Sequence, residues 1–180
     1  MSEWRDAACC FTGHRSIPKE RLPHLLEALT LEISWLTSHG ITEFYAGGAL
    51  GFDTMAELSV LSARQRNPKL KLHLVLPCPG QNKYWSPRDT EVYNYIKSNA
   101  DTVTYGSDHY HNGVMHLRNR MMVDVSRYCV CYYDRASADA KNGSGGTLYT
   151  VNYARRSGLT LINLCDEPPD DGDIEFDPTI

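Results

Sequence analysis

Two glycine-rich turns, a Thr-Gly-His-Arg run and a few carboxylates and arginines are the residues of this sequence equipped for chemistry, and the chemistry they suit is anion recognition. In Tyr45-Ala46-Gly47-Gly48-Ala49-Leu50-Gly51-Phe52-Asp53-Thr54-Met55-Ala56-Glu57, a buried strand ends, a glycine turn follows and a helix opens. Gly47, Gly48 and Gly51 can take positive φ and place no Cβ between main chain and ligand, so the N–H groups of this turn, Ala49 included, can face an anion. The helix adds its positive dipole end. The spacing is neither G-x-G-x-x-G nor G-x-x-x-x-G-K-[ST], so no cofactor fingerprint is met and no cofactor is expected. Tight packing of strand on helix would also explain such a turn. Asn142-Gly143-Ser144-Gly145-Gly146-Thr147 is a second glycine-rich entry to a helix. Two such turns on one sheet edge strengthen a nucleotide reading, with phosphate on one and a sugar or second phosphate on the other.

Thr12-Gly13-His14-Arg15 supplies a hydroxyl, a permissive backbone, an imidazole and a guanidinium that can pair bidentately with phosphate. A lone histidine such as His14 is also an ordinary packing or hydrogen-bonding residue. Asp53 and Glu57 lie four apart, so their carboxylates share a helix face one turn from the first glycine turn. Asp53 can cap backbone N–H groups, hold a ribose hydroxyl or act as an acid or base; Glu57 can do the same or simply complete the helix surface. Arg118 and Arg120 cannot share a face, so one points to the site and one away, and spacing does not choose between them. Asp134 is a further candidate for a ribose hydroxyl. Tyr84 or Trp85 could stack on a base or serve as hydrophobic cover. His109, His111 and His116 beside Asp108 straddle a loop and a helix start without a known ligand spacing, so no metal is expected.

The elements that must position these residues alternate. Apolar runs at residues 7–11, 41–46, 70–77, 101–105, 128–133 and 159–164 read as strands. Between them, helical spacing recurs: Leu22, Leu25, Leu26, Leu29, Ile33 and Leu36; the helix from Phe52 to about Arg66; Val92, Tyr95 and Ile96 after the Ser86-Pro87 start; Val114, Leu117, Met121, Met122 and Val125; and a last helix through Val151 and Ala154. The fold expected is α/β, a single open, mostly parallel, doubly wound Rossmann-like sheet with helices on both faces. Every polar or glycine-rich loop named above follows a strand, so all fall on the C-terminal edge, at or near the switch point.

At 180 residues and 42% apolar content the chain suits one well-cored domain. We assign that domain to residues 1–165 and an acidic tail to 166–180, which holds seven acids and no Lys or Arg. The remainder has 18 basic against 15 acidic residues, a net +3, far from the strongly basic face of most nucleic-acid-binding domains, so nucleic acid is not the expected partner. With no membrane-length apolar run and no signal-like start, a soluble cytoplasmic protein with no membrane partner is expected. The six cysteines, mostly within apolar runs, read as reduced core thiols.

Phe11-Thr12-Gly13-His14-Arg15, the Gly47–Glu57 stretch and Leu76-Pro77-Cys78-Pro79-Gly80-Gln81 together resemble the SLOG superfamily, Rossmann-like proteins that include the Lonely Guy enzymes and the DNA-processing protein DprA. Within it the chain is most similar to the YoqJ/YpsA-like branch, over nearly its whole length except the tail. The resemblance implies a nucleotide or nucleotide-derived ligand on the C-terminal sheet edge, and often a homodimer. Lonely Guy enzymes hydrolyse the N-glycosidic bond of a nucleoside monophosphate, with an arginine in a Met-His-Glu-Arg-Lys motif. Met115-His116-Leu117-Arg118-Asn119 resembles that motif and picks out Arg118 as the inward arginine. Of their second motif, Gly146-Thr147 match, but Tyr149 and Thr150 stand where a pair of glutamates belongs.

The expected function is therefore binding: a sensor, carrier or sequestering protein for a nucleotide, nucleotide sugar or ADP-ribose-like ligand. Phosphate would lie on Gly47–Gly51 and Gly145–Thr147 with Arg15 and Arg118 as counter-charges, and Asp53 or Asp134 would hold ribose. The alternative is a phosphoribohydrolase-like enzyme in which Asp53 or Glu57 replaces the missing acids and Arg118 steers phosphate. A third is single-stranded DNA handling in the manner of DprA.

Overall fold

Six short strands build the sheet, and in the central ones the residues alternate between two apolar faces. In β1 (Ala8–Gly13), Cys9 and Phe11 face one apolar cluster and Cys10 the other, and all three are buried. The computed structural model describes residues 3–137 and 145–165; the acidic tail and Asn142–Ser144 lie outside the described residues. After a single turn α1 (Glu3–Asp6), the order is β1, a 3₁₀ turn (Lys19–Arg21) running into α2 (Leu22–Ser38), β2 (Glu43–Ala46), α3 (Phe52–Arg66), β3 (Lys71–Leu76), α4 (Pro87–Asn99), β4 (Thr102–Tyr105), α5 (Val114–Asp124), β5 (Tyr128–Tyr132), α6 (Gly146–Arg156) and β6 (Thr160–Asn163).

The strands run in the order β4-β3-β2-β1-β5-β6 and every pair is parallel, so the sheet is Rossmann-like as expected. The chain winds outward from β1 to β4 and then returns to add β5 on the other side of β1. The switch point is thus the β1–β5 boundary. One face is covered by α2, α3 and α4, whose Leu25, Leu29, Phe52, Val60 and Ile96 pack on Phe11, Phe44 and Leu74; the other is covered by α5 and α6 through Met122, Val123 and Ala154. Ser86 accepts the Asp89 N–H at 3.1 Å and Pro87 opens α4, as the Ser-Pro pair predicts.

One boundary shifts in a way that matters. Thr12 and Gly13, expected in a loop, belong to β1, where they pair with Cys131 and Tyr132 of β5. They are therefore held by the sheet at its switch point rather than by a loose connection. Five of the six cysteines are buried and the sixth, Cys165, is partly so. Among the described residues no helix is long and apolar enough to cross a membrane.

Candidate functional site

The Gly47–Ala49 turn is satisfied from within. Gly48 N–H donates to Glu57 Oε1 at 2.8 Å and Ala49 N–H to Asp53 Oδ2 at 3.3 Å. The Gly47 carbonyl accepts from Arg118 Nη1, the Gly48 carbonyl from Gln81 Nε2 at 2.6 Å and the Ala49 carbonyl from Thr54 Oγ1 at 2.9 Å. At the helix start the Phe52 N–H donates to the His14 carbonyl at 3.1 Å. Of the amides expected to face phosphate between Gly47 and Gly51, those of Gly48 and Ala49 donate to the chain's own carboxylates in this structure. Glu57, for which completing the helix surface was one alternative beside capping and acid–base work, is 1% exposed. A short loop from a parallel strand to the helix behind it leaves its amides facing the first turn of that helix. Carboxylates at Asp53 and Glu57 are the groups that reach them.

The two glycine turns are joined by a chain of side chains. Arg118, buried on α5, also donates from Nε to Asn119 Oδ1 at 2.7 Å; Asn119 Nδ2 donates to Thr150 Oγ1 at 2.7 Å; and Thr150 Oγ1 donates to the Gly146 carbonyl at 2.7 Å. Asn119 and Thr150 went unassigned from sequence, though a polar residue beside Arg118 and a threonine four residues into a helix were the available signals. Arg120 turns outward and donates to Tyr149 OH at 2.8 Å. Arg118 is thus the inward arginine, as its motif implied.

Charge in this cluster is unbalanced. Burial raises the Asp53 carboxyl above its ordinary range despite Arg118, the Ala49 and Gly47 amides and Arg15, which pull it down. Burial, and then the neighbouring Asp53 charge, raises Glu57 further. Burial also lowers Arg118, but a guanidinium starts so high that it stays charged at neutral pH.

Above the cluster, at the β1–β5 switch point, is a cleft of about 310 Å³. Thr12, Gly13, His14, Arg15, Ala49, Asp53, Arg118, Gly146 and Thr147 line it, as sequence reasoning grouped them, together with Met115, His116 and Asn119 of α5. Gly47, Gly48, Gly51, Glu57, Asp134 and Gly145 do not line it. Thr12 and Thr147 are 6% and 9% exposed, and neither hydroxyl has a hydrogen-bond partner among the described residues. Arg15, exposed at the rim, likewise has no ion-pair or hydrogen-bond partner among them. The α6 helix begins at Gly146, and among the described residues no N-cap side chain meets its first amides.

His14 is buried, with Nε2 accepting the Asp134 N–H at 2.9 Å. A backbone amide can only donate, so that nitrogen is bare and the neutral ring carries its proton on Nδ1. Asp134 in turn accepts the Ala136 N–H at 2.8 Å, which makes it a turn residue rather than part of the lining. The two aromatics suggested for stacking are also elsewhere. Tyr84 is 88% exposed, and Trp85 packs edge-on against Tyr93, centroids 5.3 Å apart. A larger hollow, about 650 Å³, is an apolar groove between α2 and α3 that holds none of these polar groups, so volume does not mark the site.

With this geometry in hand, three likenesses are informative. The profile of the YspA SLOG family matches residues 9–163. The Bacillus subtilis (strain 168) "Uncharacterized SPbeta prophage-derived protein YoqJ" is 25% identical over 153 residues, covering 78% of this chain and 82% of that protein. DNA processing protein A from Helicobacter pylori, whose structure concerns its binding of single-stranded DNA, superposes with a TM-score of 0.59 at 19% identity. That match takes in 87% of this chain and 64% of the other, so this chain spans less than two thirds of that neighbour's length, and the likeness is one of fold. The matched profile spans both the Thr12–Arg15 run and the Gly146-Thr147 turn, and the chain belongs to the YspA SLOG family.

Proposed function

We propose that the protein binds a nucleotide or nucleotide-derived ligand in the cleft at the β1–β5 switch point, as a sensor, carrier or sequestering protein. One observation carries this reading: Thr12 and Thr147 both line the cleft with hydroxyls that have no hydrogen-bond partner among the described residues, between an arginine and a helix start that its N-cap residue does not cap. Thr12 Oγ1, Thr147 Oγ1, the first amides of α6 and Arg15 form a donor set suited to a phosphate. This reading seats the anion at the second glycine turn, because the Gly48 and Ala49 amides of the first already donate to Glu57 and Asp53. Asp53 faces a ligand's sugar hydroxyls, while Arg118 holds the two turns together. A cleft of about 310 Å³ is at the small end of ligand sites, which run from about 300 to 1,000 Å³, and suits a mononucleotide.

Calorimetric titration of nucleoside monophosphates against the matching nucleosides tests this. The monophosphates should bind and the nucleosides should bind far more weakly. Arg15→Ala and Thr147→Val should each weaken the monophosphate by about tenfold, the scale of one hydrogen bond to a charged group. Equal affinity for both series, or variants without effect, would refute the assignment.

A second reading has support in Asp53. Its raised carboxyl lies in the cleft, where it could hold the proton that a departing base takes as water adds to the anomeric carbon. Free base released from a monophosphate by the protein, and lost in Asp53→Asn, would convert the binder into a hydrolase. Single-stranded DNA also stays among the ligands to be tried. The expectation against nucleic acid rested on charge and finds no support in the Helicobacter pylori neighbour, which binds it. A gel shift at low salt decides. The homodimer and the cytoplasmic setting that the sequence suggested belong to this same proposal.

A further inference from the structure

On the wall of the cleft stands an exposed histidine held as though it were buried. His116, in the first turn of α5, stacks face to face on Tyr149 of α6, with centroids 3.9 Å apart and planes 7° from parallel. Tyr149 is itself tied by Arg120, whose Nη1 donates to its hydroxyl at 2.8 Å. Holding an exposed ring in one rotamer costs side-chain entropy, and here two further residues supply the restraint.

The position of the pair is as informative as its rigidity. His116 lines both the cleft and a second hollow of about 400 Å³ beside it, whereas Tyr149 lines only the second hollow. The imidazole thus borders both hollows, and Tyr149 covers one of its faces, which leaves the opposite face uncovered by that ring. Met115 lines the same wall, soft and apolar. We infer that this face of His116 is the stacking platform for the planar base of the ligand, extending the Tyr149–His116 pair to a stack of three. The inference rests on the reading of the cleft given above and names the group that recognises the base.

It also sets specificity. Stacking on an aromatic face tolerates any base, because every base has one, and Met115 offers no hydrogen-bond code to a base edge. The site should therefore hold purine and pyrimidine nucleotides with similar affinity while rejecting a ligand that lacks a base.

The decisive comparison uses AMP, CMP and ribose 5-phosphate, titrated into the full chain. Wild-type protein should bind both nucleotides about tenfold more tightly than ribose 5-phosphate, the scale of one aromatic–base stack. In His116→Ala that ratio should collapse to near one, in His116→Phe it should survive, and in Tyr149→Ala it should fall between the two. A ratio unchanged in His116→Ala, or a wild-type protein that binds ribose 5-phosphate and AMP equally, overturns the stacking platform and leaves the phosphate site standing. Failure of wild-type protein to bind any of the three overturns both readings together.

Discussion

Asp53, Glu57 and Arg118 place two carboxyls and one guanidinium in a space that water barely reaches, and the consequences can be worked out residue by residue. A single guanidinium cannot neutralise both acids, and burial favours the uncharged form of the second. Glu57 is raised most. In the unfolded chain it titrates near the usual glutamate value of about 4.3. Below that pH both states hold the proton; above it the unfolded chain has released the proton while the folded one retains it. Stability should therefore fall as pH climbs from about 4.5 through the raised pKa of the folded protein. Glu57→Gln, which cannot titrate, should flatten that decline in urea-unfolding midpoints measured from pH 4.5 to 8, and an identical slope in the variant would contradict it. Arg118→Ala is a different experiment. It strands two buried acids, the Gly47 carbonyl and Asn119, and should cost about 3–5 kcal/mol in chemical denaturation. Lost activity in that variant would reflect a lost fold as readily as lost chemistry, so the exposed Arg15 is the cleaner probe.

Among the elements, α5 explains what the sequence could and could not reveal. Its apolar residues trace a stripe through Val114, Leu117, Met121, Met122 and Val125, yet the buried set is Val114, Arg118, Asn119, Met122 and Val123. The helix is rotated so that a polar pair enters the core, because Gly47 and Thr150 offer the partners that make this tolerable. A hydrophobic pattern marks where helices are and is silent on inward polar residues, and the Met115–Asn119 motif alone pointed to Arg118. The glycines divide in the same way. Gly51 has φ +80°, and a Cβ there would lie 2.6 Å from the Arg15 carbonyl carbon, a backbone atom that cannot step aside. Gly146 has open space where a Cβ would go, yet it lines the cleft. Gly51→Ala should therefore destabilise by at least about 1–3 kcal/mol. Gly146→Ala should leave stability within about 0.5 kcal/mol and instead weaken nucleotide binding. Thermal melts paired with titrations separate the two, and a Gly146→Ala protein that binds normally would remove the close-approach role from that turn.

For the molecule as a whole, the alternation of apolar runs with helical spacing was enough to give a parallel sheet, and the place of the polar loops after strands put them on the C-terminal edge, where the proposed cleft lies. What the pattern could not give is which helix faces remain without cover. Between α2 and α3 an apolar groove of about 650 Å³ opens outward, and Leu26, Leu31 and Leu58 around it are 51%, 64% and 38% exposed. Single exposed leucines are ordinary; several along one groove form a patch of the kind that marks association. This face lies across the sheet from α5 and α6, so a second copy seated on it would leave His116 and the start of α6 open to ligand. The homodimer proposed above is accordingly placed on α2 and α3, where a two-fold axis would bring the same leucines together. A charged residue in such an apolar contact would be desolvated without a partner, so Leu31→Glu, or Leu26→Glu beside it, should convert dimer to monomer in light scattering while nucleotide titrations stay unchanged. Wild-type protein that scatters as a monomer at tens of micromolar, or a Leu31→Glu protein that stays dimeric, would put the association elsewhere or end it.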